Sequence, residues 1–195
     1  GANALVSSDN GTSWSSYSTG TAWSGTSIAL GNNTWVAATN NGEIATSSDA
    51  QSWTTVITGL TGSSFNNIIY ENNIWVVVGR IATNGQSTGD IVSSTDLSVW
   101  SRNSVSSPYA LFWGVTYGNG LFVAVGCSGN CSDGWEDSLG EIYTSANGIN
   151  WTRRTSGTQK RLFDVTFANN KFVVVGGKYD ARIGDSGGKG IVLTS

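Results

Sequence analysis

A short motif that ends in tryptophan recurs along this chain, and its regular spacing constrains the fold more than any other feature. In each of four copies, a serine precedes a tryptophan by six residues. The serine–tryptophan pairs are Ser8 and Trp14, Ser47 and Trp53, Ser94 and Trp100, and Ser145 and Trp151. A fifth, partial copy reads "GIVLTS" and ends at Ser195. Self-similarity of this kind indicates a repeat architecture.

Each repeat contains four segments, which we call A, B, C and D. Segment A is the "IATS"-like run that ends at the serine, and segment B begins at the tryptophan. Segment C resembles "VTYGNG", and segment D resembles "LFVAVG". The distance from the tryptophan to the first aromatic residue of D is 21 or 22 residues throughout, whereas the distance from that aromatic to the next serine grows from 12 to 23. All the large length variation therefore falls in the connection from D to A.

The four segments read as short β-strands. The sequences "GNN", "ENN", "GNG" and "ANN" between C and D predict tight hairpin turns, because Asn and Gly tolerate positive φ. Segment D is apolar at consecutive positions, which indicates a strand covered on both faces. Four strands in repeats of 39 to 51 residues predict an all-β fold, a β-propeller of four-stranded antiparallel blades. A β-solenoid is the alternative.

We expect residues 1–195 to form one β-propeller domain, with repeats that start near residues 3, 42, 89 and 140 and a partial fifth near 190. The last blade would lack its own B strand. We expect the N-terminal A–B hairpin to complete it, since an unpaired strand edge promotes aggregation. Whether four blades close alone or belong to a larger ring, a homo-oligomer or a parent assembly stays open.

The A–B turn has a recurring chemistry. An Asp or Asn side chain can accept hydrogen bonds from turn amides, Gly11 and Gly148 permit left-handed backbone angles, and the tryptophan covers the hairpin. The expected acceptors are Asn10, Asp49, Asp96 and Asn147.

This turn resembles the Asp-box, the bacterial neuraminidase repeat of sialidase-like β-propellers. "SSDNGTSW" fits the longer form of that motif through Ser7, Asp9, Gly11 and Trp14. The other copies are one residue shorter, and Ala50 and Leu97 replace the glycine in two of them. The resemblance covers the whole chain and implies a propeller in which these turns are structural rather than catalytic.

A sialidase would need three arginines, yet the first 79 residues contain none, and neither Arg-Ile pair is followed by proline. The chain also lacks histidine, the commonest general base. We therefore expect no catalytic residue, and Glu43, Glu71 and Glu141 are interpreted as solvated strand ends. A glycoside hydrolase with paired carboxylates is the alternative. Its candidate residues are Asp133, Glu136, Asp137, Asp180 and Asp185.

Composition narrows the remaining classes. A net charge of −3 with only 12% charged residues argues against a nucleic-acid partner, and the apolar runs are too short for membrane insertion. Cys127 and Cys131 predict a local disulfide of a secreted protein, because a zinc site would need further ligands. We expect no cofactor. Calcium is an alternative at the acidic stretches "CSDGWEDS" and "KYDARIGDS".

The long D–A connections suggest where function lies. We expect them to share one face with the B–C connections, and to bind a glycan or a protein surface there. The expected location is extracellular, or on a cell or virion surface. The predicted ligand-binding residues are Trp135, Tyr179, Arg182, Asp133, Glu136, Asp137, Tyr109 and Arg80. A structural repeat of a surface filament or virion appendage is a further alternative.

Overall fold

The fold was analysed in a computed structural model. The structure describes residues 3–20, 24–83, 86–103, 105–107, 109–129, 131, 138–177 and 190–195. This part of the chain contains seventeen β-strands and no helix. No helix with the length and apolar character of a membrane span therefore occurs in it.

The strands form five antiparallel sheets, numbered here in chain order. Sheet 1 is β1 (Asn3–Val6) and β2 (Ser15–Ser18). Sheet 2 is β3 (Gly25–Gly31), β4 (Thr34–Thr39), β5 (Ile44–Ser47) and β6 (Thr54–Val56). Sheet 3 is β7 (Ser63–Glu71), β8 (Ile74–Thr83), β9 (Gln86–Ser94) and β10 (Ser101–Asn103). Sheet 4 is β11 (Leu111–Gly118), β12 (Leu121–Ser128), β13 (Leu139–Ser145) and β14 (Thr152–Thr155), and sheet 5 is β15 (Arg161–Ala168), β16 (Lys171–Gly177) and β17 (Gly190–Thr194).

The expectation of four-stranded antiparallel sheets is confirmed in sheets 2, 3 and 4, each of which runs in the order C, D, A, B. The two-residue turns between C and D have positive φ at both positions, for example 52° at Asn72 and 61° at Asn73. This is the backbone of a type I′ turn, whose twist matches that of the flanking strands. The solenoid alternative is wrong, because a parallel β-helix pairs strands of successive repeats, whereas these strands pair antiparallel within one repeat.

The core lies between successive sheets. Ala38 and Ile44 of sheet 2 pack with Phe65 and Val77 of sheet 3 in one buried cluster. The opposite face of sheet 3 packs against sheet 4 in a second cluster, and sheet 4 packs against sheet 5 in a third. The D strands of sheets 3 and 4, β8 and β12, thus have both faces covered, which explains their unbroken apolar sequences.

A β-bulge recurs at the same place in every C strand and links each sheet to the next. The register shifts at Thr26, Asn66, Trp113 and Phe163. The Thr26 hydroxyl donates to the Phe65 carbonyl at 2.8 Å, and the Asn66 amide donates to the Phe112 carbonyl at 2.6 Å. Trp113 instead contacts the Phe163 ring, with centroids 5.6 Å apart. Trp113 therefore takes part in the packing between sheets 4 and 5.

In the part of the chain that the structure describes, the sheets pack one after another, and closure into a ring is not seen. Inner strands β3, β7, β11 and β15 pack in succession, with no comparable packing of β15 on β3 among the described residues. Val175 and Val192 of sheet 5 are consequently 43% and 64% exposed, whereas the equivalent Val78 and Ile91 of sheet 3 are fully buried.

The expectation that the N-terminal hairpin completes the last sheet is wrong in this structure. Among the described strands, β1 pairs only with β2, and β17 pairs only with β16. The hairpin lies instead beside sheet 2, where Leu5 lines a cleft together with Ile28 and Ala37. Its two strands are segments A and B of the first repeat.

Two connections from D to A are partly described. The expected loop from Arg80 to Asp90 is largely a hairpin extension, since β8 continues to Thr83 and β9 begins at Gln86. In the next repeat, the predicted disulfide between Cys127 and Cys131 is confirmed, with Cα atoms 6.1 Å apart. Cys127 is buried at the end of β12, so the disulfide fixes the base of this connection to the sheet.

Hydrogen bonds lock each A–B turn. Asp49 Oδ1 accepts from the amides of Gln51 and Ser52 at 2.8 and 2.7 Å and from the Ser47 hydroxyl at 2.9 Å. Asp96 and Asn147 accept from the corresponding amides of their own turns. Ala50 and Leu97 take φ of 61° and 66°, close to the 71° of Gly148. These two side chains thus occupy a backbone conformation that favours glycine.

The assignment of Ser8 and Asn10 to the first turn is wrong by one residue. The Ser7 hydroxyl donates to Asp9 Oδ1 at 2.8 Å, and Asp9 accepts from the Ser13 amide at 2.9 Å. Asn10 lies next in the turn with φ of 58°. The first turn is one residue longer than the others, so counting back from Trp14 misplaced its serine and its acceptor.

Each turn tryptophan folds back onto its own turn. The indole Nε1 donates to the carbonyl three residues earlier at 2.9 to 3.2 Å in all four copies. The burial of the ring differs, however. Trp14 is 61% exposed, whereas Trp100 is 7% exposed and belongs to the cluster between sheets 2 and 3.

We predict that Trp100→Ala lowers the free energy of unfolding by about 3–5 kcal/mol, because it removes a buried aromatic side chain. Trp14→Ala is the control, because Trp14 makes the same indole–carbonyl hydrogen bond within its own turn but its ring is exposed, so its cost is expected to be far smaller. Chemical denaturation of both variants measures the difference. Equal losses would show that the turn, not the packing between sheets, determines the contribution of the tryptophan.

Acid should weaken the A–B turns. Hydrogen bonds from the Ser13 side chain and amide, and from Ser7, lower the pKa of Asp9 from 3.8 to about 2, and the Val99 amide and Ser98 lower the pKa of Asp96 to about 2. The Ser52 amide likewise lowers the pKa of Asp49 well below its usual range. A carboxylate with a lowered folded-state pKa stabilises the fold fully above its unfolded pKa, and this contribution is lost as pH falls through the folded pKa.

We therefore predict that the melting temperature falls between about pH 4 and pH 2. Asn147 makes the same turn without a charge, so the triple variant Asp9→Asn, Asp49→Asn, Asp96→Asn is the matched control. Its melting temperature should change much less over this range in a thermal titration. A triple variant as acid-sensitive as the parent would contradict this origin of the pH dependence.

Candidate functional site

Three clefts lie at equivalent places on the face that carries the D–A and B–C connections. Each is lined by the start of an A strand and by the residues that follow a B strand. Their volumes are about 200, 490 and 440 Å³ in sheets 2, 3 and 4. In each of these three repeats, an acidic residue follows a glycine and lies immediately before the "IATS"-like segment A. These residues are Glu43, Asp90 and Glu141.

In sheet 4, the carboxylate is buried and held by an arginine. Glu141 is fully buried, and Arg153 donates to it in bidentate fashion, from Nε to Oε2 at 2.7 Å and from Nη2 to Oε1 at 2.6 Å. The hydroxyls of Ser107 and Ser128 also donate to Oε1. The hydrogen bonds to Glu141 raise the pKa of the Arg153 guanidinium. This carboxylate has its hydrogen-bonding capacity filled from within the chain.

Sheet 3 repeats the arrangement with a shorter acid. Asp90 is 3% exposed and accepts from Arg102 Nε at 3.2 Å and from the Ser63 hydroxyl at 2.5 Å. Arg102 Nη2 also donates to the Thr61 carbonyl at 3.2 Å and to the Ser63 hydroxyl at 2.8 Å. The guanidinium therefore joins strand β9 to the B–C connection of the preceding repeat.

Sheet 2 departs from this pattern. In sheets 3 and 4, the arginine on the B strand pairs with the A-strand residue that comes two positions after the acid. Arg102 thus pairs with Val92, and Arg153 pairs with Tyr143. The equivalent residue in sheet 2 is Thr55, which pairs with Ala45. Glu43 Oε2 is buried and has no hydrogen-bond partner among the described residues.

These clusters correct the interpretation of the glutamates as solvated strand ends. Glu141 is a buried ionic residue and Glu43 is half-buried, whereas Glu71 is exposed in its C–D turn. A signal for the clusters does exist in the sequence. The acid and the arginine are separated by twelve residues in both cases, which is the spacing that places them diagonally across the A–B hairpin.

Most of the predicted ligand-binding residues lie outside the described residues. This applies to Asp133, Trp135, Glu136, Asp137, Tyr179 and Arg182, and to Asp180 and Asp185. The two stretches considered for calcium lie largely outside as well. Within the described ranges, no group of three or more potential metal-ligating side chains occurs.

Arg80 and Tyr109 are described, and both are exposed. Arg80 lies on β8 opposite Gly89, in the hairpin extension of sheet 3. Tyr109 precedes β11 and is 46% exposed with φ of 69°. A left-handed backbone is uncommon for a bulky residue and marks positions that tertiary structure holds in place.

No family model and no curated protein matches the sequence. Similarity appears among solved structures. YCF48, solved bound to D1 peptide, superposes with a TM-score of 0.60 at 17% identity, over 89% of this chain and 54% of the YCF48 chain. The phage phi92 endosialidase gives 0.56 at 13% identity, over 92% of this chain and 36% of its own. The computationally designed Ika4 protein gives 0.54 at 16% identity, over 89% and 92%.

These similar structures are β-propellers, and their identities are low enough that the likeness concerns the fold alone. The chain is thus an all-β protein with a propeller-like series of four-stranded antiparallel sheets. It spans about half the length of the YCF48 chain and about a third of the endosialidase chain.

We predict that Arg153→Ala lowers the free energy of unfolding by about 3 kcal/mol, because it leaves the buried Glu141 carboxylate without its counter-charge. Arg154→Ala is the matched control, since Arg154 lies next on the same strand and is exposed, bonded only to the Thr144 hydroxyl among the contacts seen. Its effect should stay within about 0.5 kcal/mol. Urea titration of both variants measures the difference. Similar small losses would mean that Glu141 is adequately solvated without Arg153.

Proposed function

We propose that this chain is a non-catalytic β-propeller binding or adhesion module that takes a glycan or protein segment on the face of the D–A connections. The observation that carries the proposal is the row of three repeat-equivalent clefts on that face. Clefts lined by polar groups on a rigid scaffold are typical of ligand sites. The opposite face carries short two-residue C–D turns and internally bonded A–B turns, which leave little room for variation.

The Asp-box assignment belongs to this proposal. Its support is the geometry of the A–B turns, in which a Ser–x–Asp/Asn pair and a tryptophan satisfy one another internally. Such turns stabilise hairpins and offer no free group for catalysis. In the described clefts, the carboxylates of Asp90 and Glu141 are buried and bonded to an arginine, so they are not free to contact a substrate. A glycan-cleaving enzyme would depend on carboxylates outside the described residues.

Location and ligand class are further parts of the proposal. The Cys127–Cys131 disulfide favours an oxidising compartment, and hence an extracellular or surface-exposed protein. Among the similar structures, YCF48 was solved bound to a peptide and another is an endosialidase, which supports keeping both peptide and glycan as ligand classes. Calcium at the acidic stretches and a homo-oligomer or larger assembly remain proposals of the same kind.

The test is binding of the intact protein to glycan and peptide arrays, with and without substitutions on the two faces. We predict that Trp135→Ala combined with Tyr179→Ala abolishes binding at an almost unchanged melting temperature. The control is Asn72→Gly in a C–D turn, because glycine keeps the positive φ while removing the side chain. Binding that survives the double substitution but is lost in Asn72→Gly would place the site on the opposite face. Cleavage of an array glycan would favour the glycoside hydrolase alternative.

A further inference from the structure

The cleft of sheet 2 contains a carboxylate whose expected partner is missing from the chain. Glu43 stands where Asp90 and Glu141 stand in the next two repeats, and each of those is bonded to an arginine. Glu43 Oε2 is shielded from solvent and has no hydrogen-bond partner among the described residues. A buried, unsatisfied charged oxygen is unfavourable, so an observed one requires an explanation.

The equivalent carboxylates are each bonded to a cation, whereas no described residue in the repeat of Glu43 supplies one. Thr55 replaces the arginine at the equivalent cross-strand position. The first 79 residues contain neither Arg nor Lys, whereas they contain four acidic residues. The ten residues that line the cleft include no basic side chain.

The cleft has the room and the polar lining for the absent group. Its volume is about 200 Å³, several times the roughly 30 Å³ of one water molecule. Thr55, Thr58 and Thr61 lie along it, together with Asn41. The Thr58 hydroxyl donates to the Gly42 carbonyl at 2.9 Å, as the Ser156 hydroxyl does to the Gly140 carbonyl in sheet 4. The wall of the cleft is therefore built as in the repeat whose arginine is present.

We propose that this cleft binds a guanidinium group presented by a ligand, which takes the place of the arginine found in the next two repeats. Guanidinium fits better than ammonium because both internal examples use its planar set of donors. Arg153 bonds its carboxylate through two nitrogens, and Arg102 bonds a carboxylate, a hydroxyl and a carbonyl at once. The site deepens the proposed function and rests on it only for the choice of binding face.

The experiment is an NMR titration of the intact protein with acetyl-arginine amide, a blocked peptide arginine, and separately with methylguanidine, a free guanidine. Amide shifts should move at Gly42–Ile44 and at Thr55–Thr61. Acetyl-citrulline amide, the neutral isostere, should leave them unmoved, and acetyl-lysine amide should bind more weakly than acetyl-arginine amide. Binding of both guanidines supports recognition of the group itself, and binding of the peptide form alone assigns the ligand to a protein segment.

Two variants test the residues. Glu43→Gln should weaken binding of acetyl-arginine amide at least about tenfold, because it removes a charge-assisted acceptor. Thr55→Arg should abolish binding and raise the melting temperature, because it restores the internal pair of the other repeats. Glu71→Gln, an exposed glutamate in a C–D turn, is the charge-matched control and should bind as the parent does.

Equal binding of the citrulline and arginine compounds, shifts confined to other residues, or no binding by the parent protein would overturn the inference. So would unaltered binding by a folded Glu43→Gln variant. The array experiment reports on ligands of the whole face, whereas this titration reports on one cleft. If the titration fails and the arrays show binding, the cleft is rejected as a guanidinium site and the proposed function stands. If the titration succeeds and the arrays show no binding, the proposed function is rejected and the guanidinium site stands.

Discussion

The structure depends on packing between the faces of successive sheets. A four-stranded sheet of this size has no helix or second layer of its own, so its inner strands bury apolar side chains only against the next sheet. Val77 faces sheet 2 while Val76 and Val78 face sheet 4. Side chains that alternate in direction along one apolar strand therefore stabilise two interfaces. The turns connect the strands, and Trp100 of one A–B turn adds its ring to the interface between sheets 2 and 3.

Ion pairs with a buried carboxylate lie at the edge of these interfaces between sheets. At the start of the A strands, the apolar interface gives way to the clefts, and acid–arginine pairs bridge the A–B hairpin to the preceding connection. The pair in sheet 4 and the pair in sheet 3 use different acids at the same cross-strand positions. In sheet 2 the repeat keeps the acid, Glu43, but has Thr55 in place of the arginine. The Glu43 carboxylate is therefore the group that we propose binds a guanidinium group of a ligand.

The repeat spacing predicted the strands, their grouping into four-stranded antiparallel sheets and the tight C–D turns, because local chemistry determines each of them. The sequence analysis misplaced the acceptor of the first turn. This turn has one extra residue before Trp14, but Ser7 is followed by a second serine, Ser8, which lies six residues before Trp14 as in the other repeats. The sequence analysis interpreted Glu141 as solvated, because a glutamate beside a glycine does not indicate burial unless its partner Arg153 is recognised. The twelve-residue spacing to Arg153 was visible, and so was the Asn84-Gly85 pair that favours a hairpin over a loop. Closure could not be predicted, because it depends on contacts between distant strands.

A series of sheets that touch only their neighbours has a consequence for cooperativity. The stability of such an array is approximately a sum of the stability of each unit and of the nearest-neighbour interfaces, as in a one-dimensional chain of coupled units. Sheets 3 and 4 each have two such interfaces, whereas sheet 5 has one, with β17 and the outward face of β16 accessible to water. Amide hydrogens of β8 and β12 should therefore exchange most slowly with solvent, and opening should proceed inward from the terminal sheets in separate steps. The D–A face would then keep its central clefts intact while its outermost strands fluctuate.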